Sequence, residues 1–477
     1  MKKLLFFSAL AAMTLVACQS YDTELPMPDD EAALTAVQKE KITQITEDVN
    51  SGEVKNILGS LFGKQRKGRS ADYTVSLLKD KQGVDRVICI NYADNGGFAL
   101  ISAEKTHSPI LAYADEGNFT VTDSLPFPLS EWMDCTMHSI AESESLPADS
   151  LEKIAGMWHR YEVVEPITLS RLAKSRSISP EESVRLFHIM KPYLDGWATN
   201  DEYRVYSIDQ YTSGLSFGSL SELIGYVQGV IFPTYIDDYS NITVVVERDN
   251  GTHTTFGSRF NTHWEQRNGF NQSFKLRPGY TDEHIPVGCG PIALGQLMYG
   301  YKYPTYFNWS AMSTSAPGNK VTSDFLLDVF NKSNAEYHAD KNLSSTTIDD
   351  LASALKKYGY SYKKISGSSI TANTIKLGCP AIMGSTLGGE ISGGHAWLIE
   401  GGGSSHLWTT AEVWTFTYPD EFKCIYSEDY NHFYSTGFYV NWGWGSKYNG
   451  YYGFDNMIPD DYNSNSIKDA LINITHP

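Results

Sequence analysis

The chain has little positive charge for its size. It contains 38 Lys and Arg against 56 Asp and Glu in 477 residues, which gives a formal net charge of −18 and an isoelectric point near 5.1. Because nucleic-acid phosphates are bound through basic surfaces, this balance argues against DNA or RNA as a partner. The sequence also lacks internal repeats and low-complexity tracts, and its length allows two or three domains with a sizeable core.

Cysteine is scarce and has no metal-site spacing. The six cysteines are Cys18, Cys89, Cys135, Cys289, Cys379 and Cys424. None of them forms the CxxC pair of a zinc site. Cys89, in RVICINY, and Cys379, before Pro380, are predicted to be buried thiols. A disulfide is compatible with an exported protein, but the sequence does not pair the cysteines.

Two histidines were considered as metal ligands. His406 and His432, with Glu412 and Asp429, fit no standard ligand arrangement. They are therefore predicted to be surface or structural residues, and we expect neither a metal nor an organic cofactor.

The first twenty residues are typical of an export signal. Two lysines precede an apolar run over residues 4–17, which is too short to span a membrane comfortably. The string LVAC ending at Cys18 looks like a bacterial lipobox, and Gln19 favours the outer membrane by analogy with lipoprotein sorting. We predict a signal peptide over 1–17, a lipidated Cys18 with a tether to residue 31, and an outer-membrane or cell-surface protein, with release after processing left open. The alternative is an ordinary signal peptide with a stray cysteine.

Residues 32–165 have the pattern of a separate domain. Short β-prone runs (VDRVICINY, GGFALISA, SPILAYA, FTVT) follow a predicted helix over Glu31–Val49 and precede two more over Leu129–Ser143 and Ala148–Tyr161. Residues 166–250 begin with a locally basic stretch (Arg171, Lys174, Arg176) and are predicted to be a linker with a processing site. The role of residues 185–250 is left unassigned.

A cysteine lies where a loop turns into a helix. The string PVGCGP precedes IALGQLMYGY, whose apolar residues have helical spacing, so Cys289 is predicted at a helix N-terminus. The unpaired N–H groups and positive dipole end there favour a thiolate over a thiol. A buried cysteine at such a position is more often inert, so the position alone does not establish a nucleophile.

Three other residues could form a catalytic site together with Cys289. His395 follows a Gly-rich loop at the start of a predicted strand, and a thiol nucleophile needs such a base close in space. Asn441, before Trp442, has a side-chain amide that could hold an imidazole in one tautomer. Gln266 in WEQ could donate to an oxyanion. The order Gln, Cys, His, Asn is that of papain-like enzymes.

The strings WEQRNGFN, VGCGPIALGQLMYGYKYP, GGHAWLIEG and VNWGWGSKYNGYYGF, over about residues 255–460, resemble the streptopain family of cysteine peptidases, the streptococcal pyrogenic exotoxin B type also found in Bacteroidetes. The resemblance implies that Cys289 is the nucleophile, His395 the general base and Gln266 the oxyanion donor. It also implies that Asn441 orients His395 and that Trp442 shields their contact.

The chain departs from the family pattern in two places. Gly290-Pro291 follows the cysteine where members carry small residues, and the stretch between His395 and Asn441 is longer, with an insertion over 402–437. The string NGGFALISAEKTHSPILAYADEGNF resembles the family's inhibitory propeptide, and the alternative for that segment is an independent α/β binding domain.

The expected fold is α+β, with an α/β inhibitory propeptide domain before a papain-like catalytic domain (251–477) made of a helical half and an antiparallel barrel-like sheet. The expected function is that of a secreted or lipid-anchored cysteine endopeptidase, made as a zymogen, that acts on protein or peptide substrates and is inhibited by its own propeptide. The alternatives are a non-catalytic surface-binding protein on a degenerate protease fold and a papain-like acyl transferase.

Overall fold

The computed structural model describes residues 49, 51–62, 72–120, 127–164, 167, 179–200, 202–207, 243–257, 260–370, 374–375, 379–385, 395–417, 421–453 and 467–477. The predicted signal peptide, Cys18, the tether, the basic stretch at 171–176 and the helix predicted over Glu31–Val49, apart from Val49 itself, lie outside these residues. Within them, no helix is both long and apolar enough to cross a bilayer.

Seven α-helices are described. They are α1 (Ser51–Phe62), α2 (Phe127–Glu142), α3 (Ala148–His159), α4 (Pro180–Ala198), α5 (Cys289–Tyr301), α6 (Lys320–Lys332) and α7 (Ile348–Lys357). Three begin with the capping residues that their sequences indicate, because Ser179, Asn319 and Thr347 each accept a hydrogen bond from a backbone N–H of the first turn.

Fourteen strands are described. They are β1 (Tyr73–Lys79), β2 (Asp85–Tyr92), β3 (Phe98–Ser102), β4 (Ile110–Ala114), β5 (Tyr203–Ser207), β6 (Thr243–Phe256), β7 (Glu336–His338), β8 (Leu343–Ser345), β9 (Ser361–Ser366), β10 (Ala381–Ser385), β11 (His395–Thr417), β12 (Glu421–Asn441), β13 (Gly450–Gly453) and β14 (Ile467–Thr475). The run FTVT does not form a strand at its described residues, Phe119 and Thr120.

A single antiparallel sheet connects the two halves of the chain. Its strand order is β1-β2-β3-β4-β13-β12-β11-β10-β14-β9, and β6 joins it through β11 and carries β5. The junction is β4 with β13, where Tyr113 pairs with Tyr451 and Ala112 with Tyr452. The expected α+β class is confirmed, and the N-terminal strands pair antiparallel as a β1-β2-β3-β4 meander.

The N-terminal domain and the C-terminal sheet share a hydrophobic core. Phe98 and Trp132 of the N-terminal domain pack in one buried cluster with Trp442 and Tyr452. The rings of Trp132 and Tyr452 meet edge to face with centroids 5.0 Å apart, an arrangement favoured by the ring quadrupoles. The N-terminal domain therefore packs against the face of the sheet on which the side chains of Trp442 and Tyr452 lie.

A second core surrounds α5. This helix is apolar on all sides and is buried from Cys289 to Met298, which is the pattern of a helix enclosed by other elements. Leu294 and Leu297 are fully buried and pack in one cluster with Phe325 and Leu326 of α6 and with Leu351 of α7. The helical half predicted to carry Cys289 is thus present.

Two strands of the unassigned segment, β5 and β6, form one layer with the described residues of the insertion at 402–437, here called the outer sheet (β5, β6, β11 from Gly402 onward and β12 up to Gly437). Strand β6 pairs with β11 from Phe256↔Gly402 to Thr243↔Thr415. Helix α4 covers one face of this sheet through a cluster that contains Leu186, Met190, Val244, Val246, Phe416 and Phe422. The domain boundary drawn at residue 250 therefore falls inside a strand, and the predicted linker includes a helix and two strands.

Candidate active site

Cys289 is the first residue of α5. Its N-cap, Gly288, has φ 90°, and a Cβ there would lie 2.9 Å from the carbonyl oxygen of Ser344, so a side chain at this turn would be both strained and crowded. The first N–H groups of a helix have no partner within the helix, and Cys289, which is 8% exposed, lies at this end of α5. The local structure is the one that the sequence predicts.

The unusual pair Gly290-Pro291 lies within the first turn of α5. Proline is tolerated there because its missing N–H would have had no helical partner. Glycine is required by packing, since a Cβ at Gly290 would lie 2.3 Å from Cγ2 of Thr346. This departure from the family pattern is therefore accommodated without breaking the helix.

His395 lies beside the thiol. It begins β11, where it pairs with Ser385, and its side chain is buried. The backbone N–H of the next residue, Ala396, donates to Sγ of Cys289 over 3.4 Å. The tertiary structure thus brings together two residues that are more than a hundred positions apart in sequence.

A backbone carbonyl holds the imidazole. Nε2 of His395 lies 3.1 Å from the carbonyl oxygen of Trp442. Because a carbonyl oxygen only accepts, Nε2 must carry the hydrogen, which leaves Nδ1 as the basic nitrogen of the neutral ring.

The role expected for Asn441 belongs to this carbonyl. Asn441 is buried, but its Nδ2 donates to the carbonyl oxygen of Thr262 over 2.7 Å and to Oε1 of Glu400 over 2.8 Å. Its Oδ1 accepts from the N–H of Gly443 over 3.2 Å. Both amide hydrogens are therefore engaged with other partners than His395, and Asn441 shapes the turn that presents Trp442.

The Trp442 side chain was expected to shield His395, but it packs elsewhere. Its indole is buried against Trp397 and Tyr452, with centroids 5.5 Å and 5.4 Å away. The ring that covers the imidazole is Trp444, stacked on His395 at 4.5 Å with an interplanar angle of 26°. Trp444 was not selected from the sequence, although the repeated WG of the NWGWG motif was the available signal.

Gln266 lies next to the loop that precedes Cys289. The backbone carbonyl oxygen of Gln266 accepts a hydrogen bond from the N–H of Val287, two residues before Cys289, over 3.0 Å. The side chain is 4% exposed, and its Oε1 has no hydrogen-bond partner among the described residues. The neighbouring segment is anchored by Trp264, whose indole donates to the Ser313 carbonyl. The backbone of Gln266 thus contacts the loop that leads into Cys289.

The other thiols have different surroundings. None of the five described cysteines forms a disulfide. Burial raises the pKa of the Cys89 thiol to about 12, and burial also raises the pKa of Cys424 above its usual value. Cys89 is buried as predicted, whereas Cys379 is half-buried. Burial thus disfavours the thiolate form of Cys89 and Cys424.

The histidines of the insertion meet at the outer sheet. Nε2 of His406 lies 3.0 Å from Nδ1 of His432, and both side chains are exposed. In the described part of the chain, no group of three or more His, Cys, Asp or Glu side chains is arranged to hold a metal ion.

The N-terminal domain contacts the turn that carries Trp442. The hydroxyl of Tyr448 donates to the carbonyl oxygen of Thr120 over 3.0 Å, and its ring packs edge to face on Phe119. Glu116 lies 3.7 Å from Nε2 of His263, three residues before Gln266. The domain therefore packs against both segments that flank the candidate site.

The family model of the Spi protease inhibitor matches residues 49–140. A solved structure, a fragment of prointerpain A from Prevotella intermedia, is 15% identical, with a match that covers 84% of this chain and 98% of that one at a TM-score of 0.43. No curated protein matches the chain in a sequence comparison. The predicted resemblance is thereby confirmed for the N-terminal domain: residues 49–140 are similar to the Spi family of protease inhibitors.

Proposed function

We propose that the chain is the zymogen of a cysteine endopeptidase. The observation that carries the proposal is the contact between Cys289 Sγ and the N–H of Ala396, the residue that follows His395. The inhibitor-like domain at 49–140 supports the zymogen part of the proposal. It belongs to the same chain as the candidate nucleophile and shares a buried core with Trp442 and Tyr452.

The proposed reaction needs only the chain's own groups. The Cys289 thiolate attacks the peptide carbonyl carbon, and the C–S bond forms as the carbonyl oxygen becomes an oxyanion. Gln266 Nε2 and the Cys289 backbone N–H stabilise that oxyanion. The protonated Nδ1 of His395 gives its proton to the leaving amine as the C–N bond breaks. Water then attacks the acyl-enzyme while His395 takes its proton, and the C–S bond breaks to restore the thiolate.

The Trp442 carbonyl and the Trp444 ring support His395 in this scheme. The carbonyl accepts the Nε2 hydrogen and thus stabilises the imidazolium, while the stacked ring excludes water from one face. An aromatic face over a cation is itself favourable. His395 is thereby held in the tautomer that leaves Nδ1 as the basic nitrogen.

Casein cleavage tests the proposed function. Full-length protein is incubated under reducing conditions until it is processed, and hydrolysis of denatured casein is then measured. We expect cleavage by the wild type and none by Cys289→Ala, whereas Cys89→Ala retains activity. Cleavage that persists in Cys289→Ala would refute the mechanism. Transfer of the acyl group to an added amine, detected by product mass, would indicate a transferase.

We also propose that Cys18 anchors the exported chain in the outer membrane. The LVAC string supports this proposal. Labelling of cells with a radioactive or alkyne-tagged fatty acid should mark the wild type and not Cys18→Ala. A wild-type protein that takes up no label and is found only in the medium would contradict it.

A further inference from the structure

Three segments of the chain converge on the candidate site. Strand β11 begins with His395, the segment from Phe260 leads to Gln266, and the turn after β12 contains Trp442. A buried carboxylate, Glu400, touches all three segments or their immediate neighbours, and its side chain is 1% exposed. Carboxylates are rarely buried without a specific purpose, because their desolvation is costly.

The contacts of Glu400 are specific. Its Oε1 accepts from Nδ2 of Asn441 over 2.8 Å, and its Oε2 accepts from the backbone N–H of Phe260 over 2.8 Å. The second hydrogen of the Asn441 amide goes to the carbonyl of Thr262. Hydrogen bonds to a carboxylate are shorter and stronger than those between neutral groups. Glu400 therefore ties the 260–262 segment to the residue just before Trp442.

The strand pairing changes at this residue. Ile399 pairs with Val440 and Gly401 pairs with Tyr439, so the register of β11 on β12 shifts at Glu400. Such bulges re-aim a side chain and are frequent beside active sites. The irregularity lies five residues after His395, on the strand that carries it.

A carboxylate at this place determines which way the Asn441 amide points. Glu400 offers only acceptors, as does the Thr262 carbonyl, so the amide must direct its NH₂ group toward them. Its Oδ1 is then turned to the N–H of Gly443. That contact closes the turn in which the Trp442 carbonyl faces Nε2 of His395.

We propose that Glu400 is a positioning residue for the catalytic histidine. It orients the Asn441 amide, which fixes the turn that presents the Trp442 carbonyl, and this carbonyl in turn holds the Nε2 hydrogen of His395. The inference rests on the proposed function, in which His395 serves as the acid and base. Glu400 thereby acts in catalysis through His395, without contacting the substrate or the thiol.

The test replaces the carboxylate with its amide in the full-length chain. In Glu400→Gln, only one side-chain oxygen is left to accept hydrogen bonds from the two donors, Phe260 N–H and the Asn441 NH₂ group. The new NH₂ group of the glutamine is itself a donor and therefore faces one of these donors without an acceptor. We expect kcat to fall at least about tenfold with KM within about twofold of wild type. We also expect the alkaline limb of kcat/KM to move to lower pH, because the imidazolium loses support from the carbonyl.

Glu412→Gln is the matched control. Glu412 lies on the same strand and accepts from Nε1 of Trp414 in the outer sheet, so this variant should keep the wild-type profile. A Glu400→Gln protein with wild-type melting temperature, kcat and pH profile would overturn the proposal. Melting temperatures are measured for both variants in parallel.

A swapped pair decides the question if Glu400→Gln does not fold. In Glu400→Gln with Asn441→Asp, the glutamine NH₂ donates to the aspartate, and the second aspartate oxygen still accepts from Gly443. We expect this variant to be at least about fivefold more active than Asn441→Asp alone, in which two carboxylates face each other. A swap no better than Asn441→Asp alone would contradict the assignment.

Alkylation separates this proposal from the proposed function. The pH dependence of Cys289 labelling by iodoacetamide reports the thiolate–imidazolium pair without turnover. If the wild type labels rapidly but cleaves no peptide, the peptidase assignment fails. An altered labelling profile in Glu400→Gln then still supports the positioning role, whereas an unaltered profile overturns it.

Discussion

Nε2 of His159, at the end of α3, lies 2.8 Å from a carboxylate oxygen of Glu247, in the middle of β6. The other ring nitrogen, Nδ1, lies 3.1 Å from Glu162, and Glu247 is fully buried. Arg204 of β5 lies 3.5 Å from the same carboxylate. Helix α3, which follows the inhibitor-like segment 49–140, therefore contacts the outer sheet through a buried ion pair, on the face opposite α4.

Because of this ion pair, we expect the free energy of unfolding to depend on pH. Burial opposes the charged ring, but the bonds to Glu162 and Glu247 outweigh it and raise the pKa of His159 to about 9 from 6.5. Since the folded pKa exceeds the unfolded one, the contribution is fully present below about pH 6.5 and is lost as pH rises through 9. Denaturant unfolding of the wild type should show a loss on the order of 3 kcal/mol over this range.

The control for that prediction is His159→Gln. It cannot be charged, so its free energy of unfolding should be lower at pH 6.5 and should lack the loss between pH 6.5 and 9. The same slope in both proteins would show that another group titrates. Lys191→Gln, on the exposed surface of α4, should reproduce the wild-type slope.

The thiols should differ sharply in reactivity. At pH 7.5 a cysteine with a pKa near 12, such as Cys89, is thiolate in only roughly 1 molecule in 10⁴ to 10⁵. Cys289 lies at a helix N-terminus, which favours the thiolate. Mass spectrometry after brief iodoacetamide treatment of the full-length protein, which contains both residues, should find the label on Cys289 first. Equal labelling of the two sites in folded protein would be the contrary outcome.

Gly290 should not tolerate a methyl group. In Gly290→Ala the new Cβ meets Cγ2 of Thr346 at 2.3 Å and Leu351 at 3.3 Å, so we expect a loss of about 1–3 kcal/mol in the free energy of unfolding and a displaced Cys289 with lower kcat. Thermal unfolding and casein hydrolysis measure the two effects.

Two further variants check the cause. Thr346→Ser removes the opposing methyl group and should restore part of the loss when combined with Gly290→Ala. Gly196→Ala, within α4, has no atom within 4 Å of the new Cβ and should be neutral or stabilising by about 0.5–1 kcal/mol. A Gly290→Ala protein as stable as Gly196→Ala would contradict the packing argument.

The segment 180–207 should stay with the catalytic half after processing. Strand β5 pairs with β6 over five residues, and β6 pairs with β11 over fourteen, while α4 is held by a buried apolar cluster. Native mass spectrometry of processed protein should therefore find residues 180–207 in the complex that contains Cys289, wherever the chain is cut. Their elution with residues 49–164, apart from the peptidase, would show the opposite.

The sequence alone determined the local features of this protein. Helical periodicity and the Gly-Cys-Gly-Pro turn predicted α5 with Cys289 at its tip, and short alternating runs predicted β2, β3 and β4. These features depend on neighbouring residues, whose backbone preferences and apolar spacing are visible in the string itself. The family resemblance added the choice of His395 and Gln266.

Only the tertiary structure decided the partners of the polar groups. The sequence suggested that the Asn441 side chain holds His395, but Nε2 of His395 lies against the Trp442 carbonyl. The Asn441 Oδ1 accepts from the N–H of Gly443, and its amide hydrogens go to Glu400 and Thr262. The outer sheet likewise joins strands β5 and β6 to an insertion that begins at residue 402. Hydrogen bonds and strand pairing between distant segments depend on how the chain folds back on itself, which no local pattern encodes.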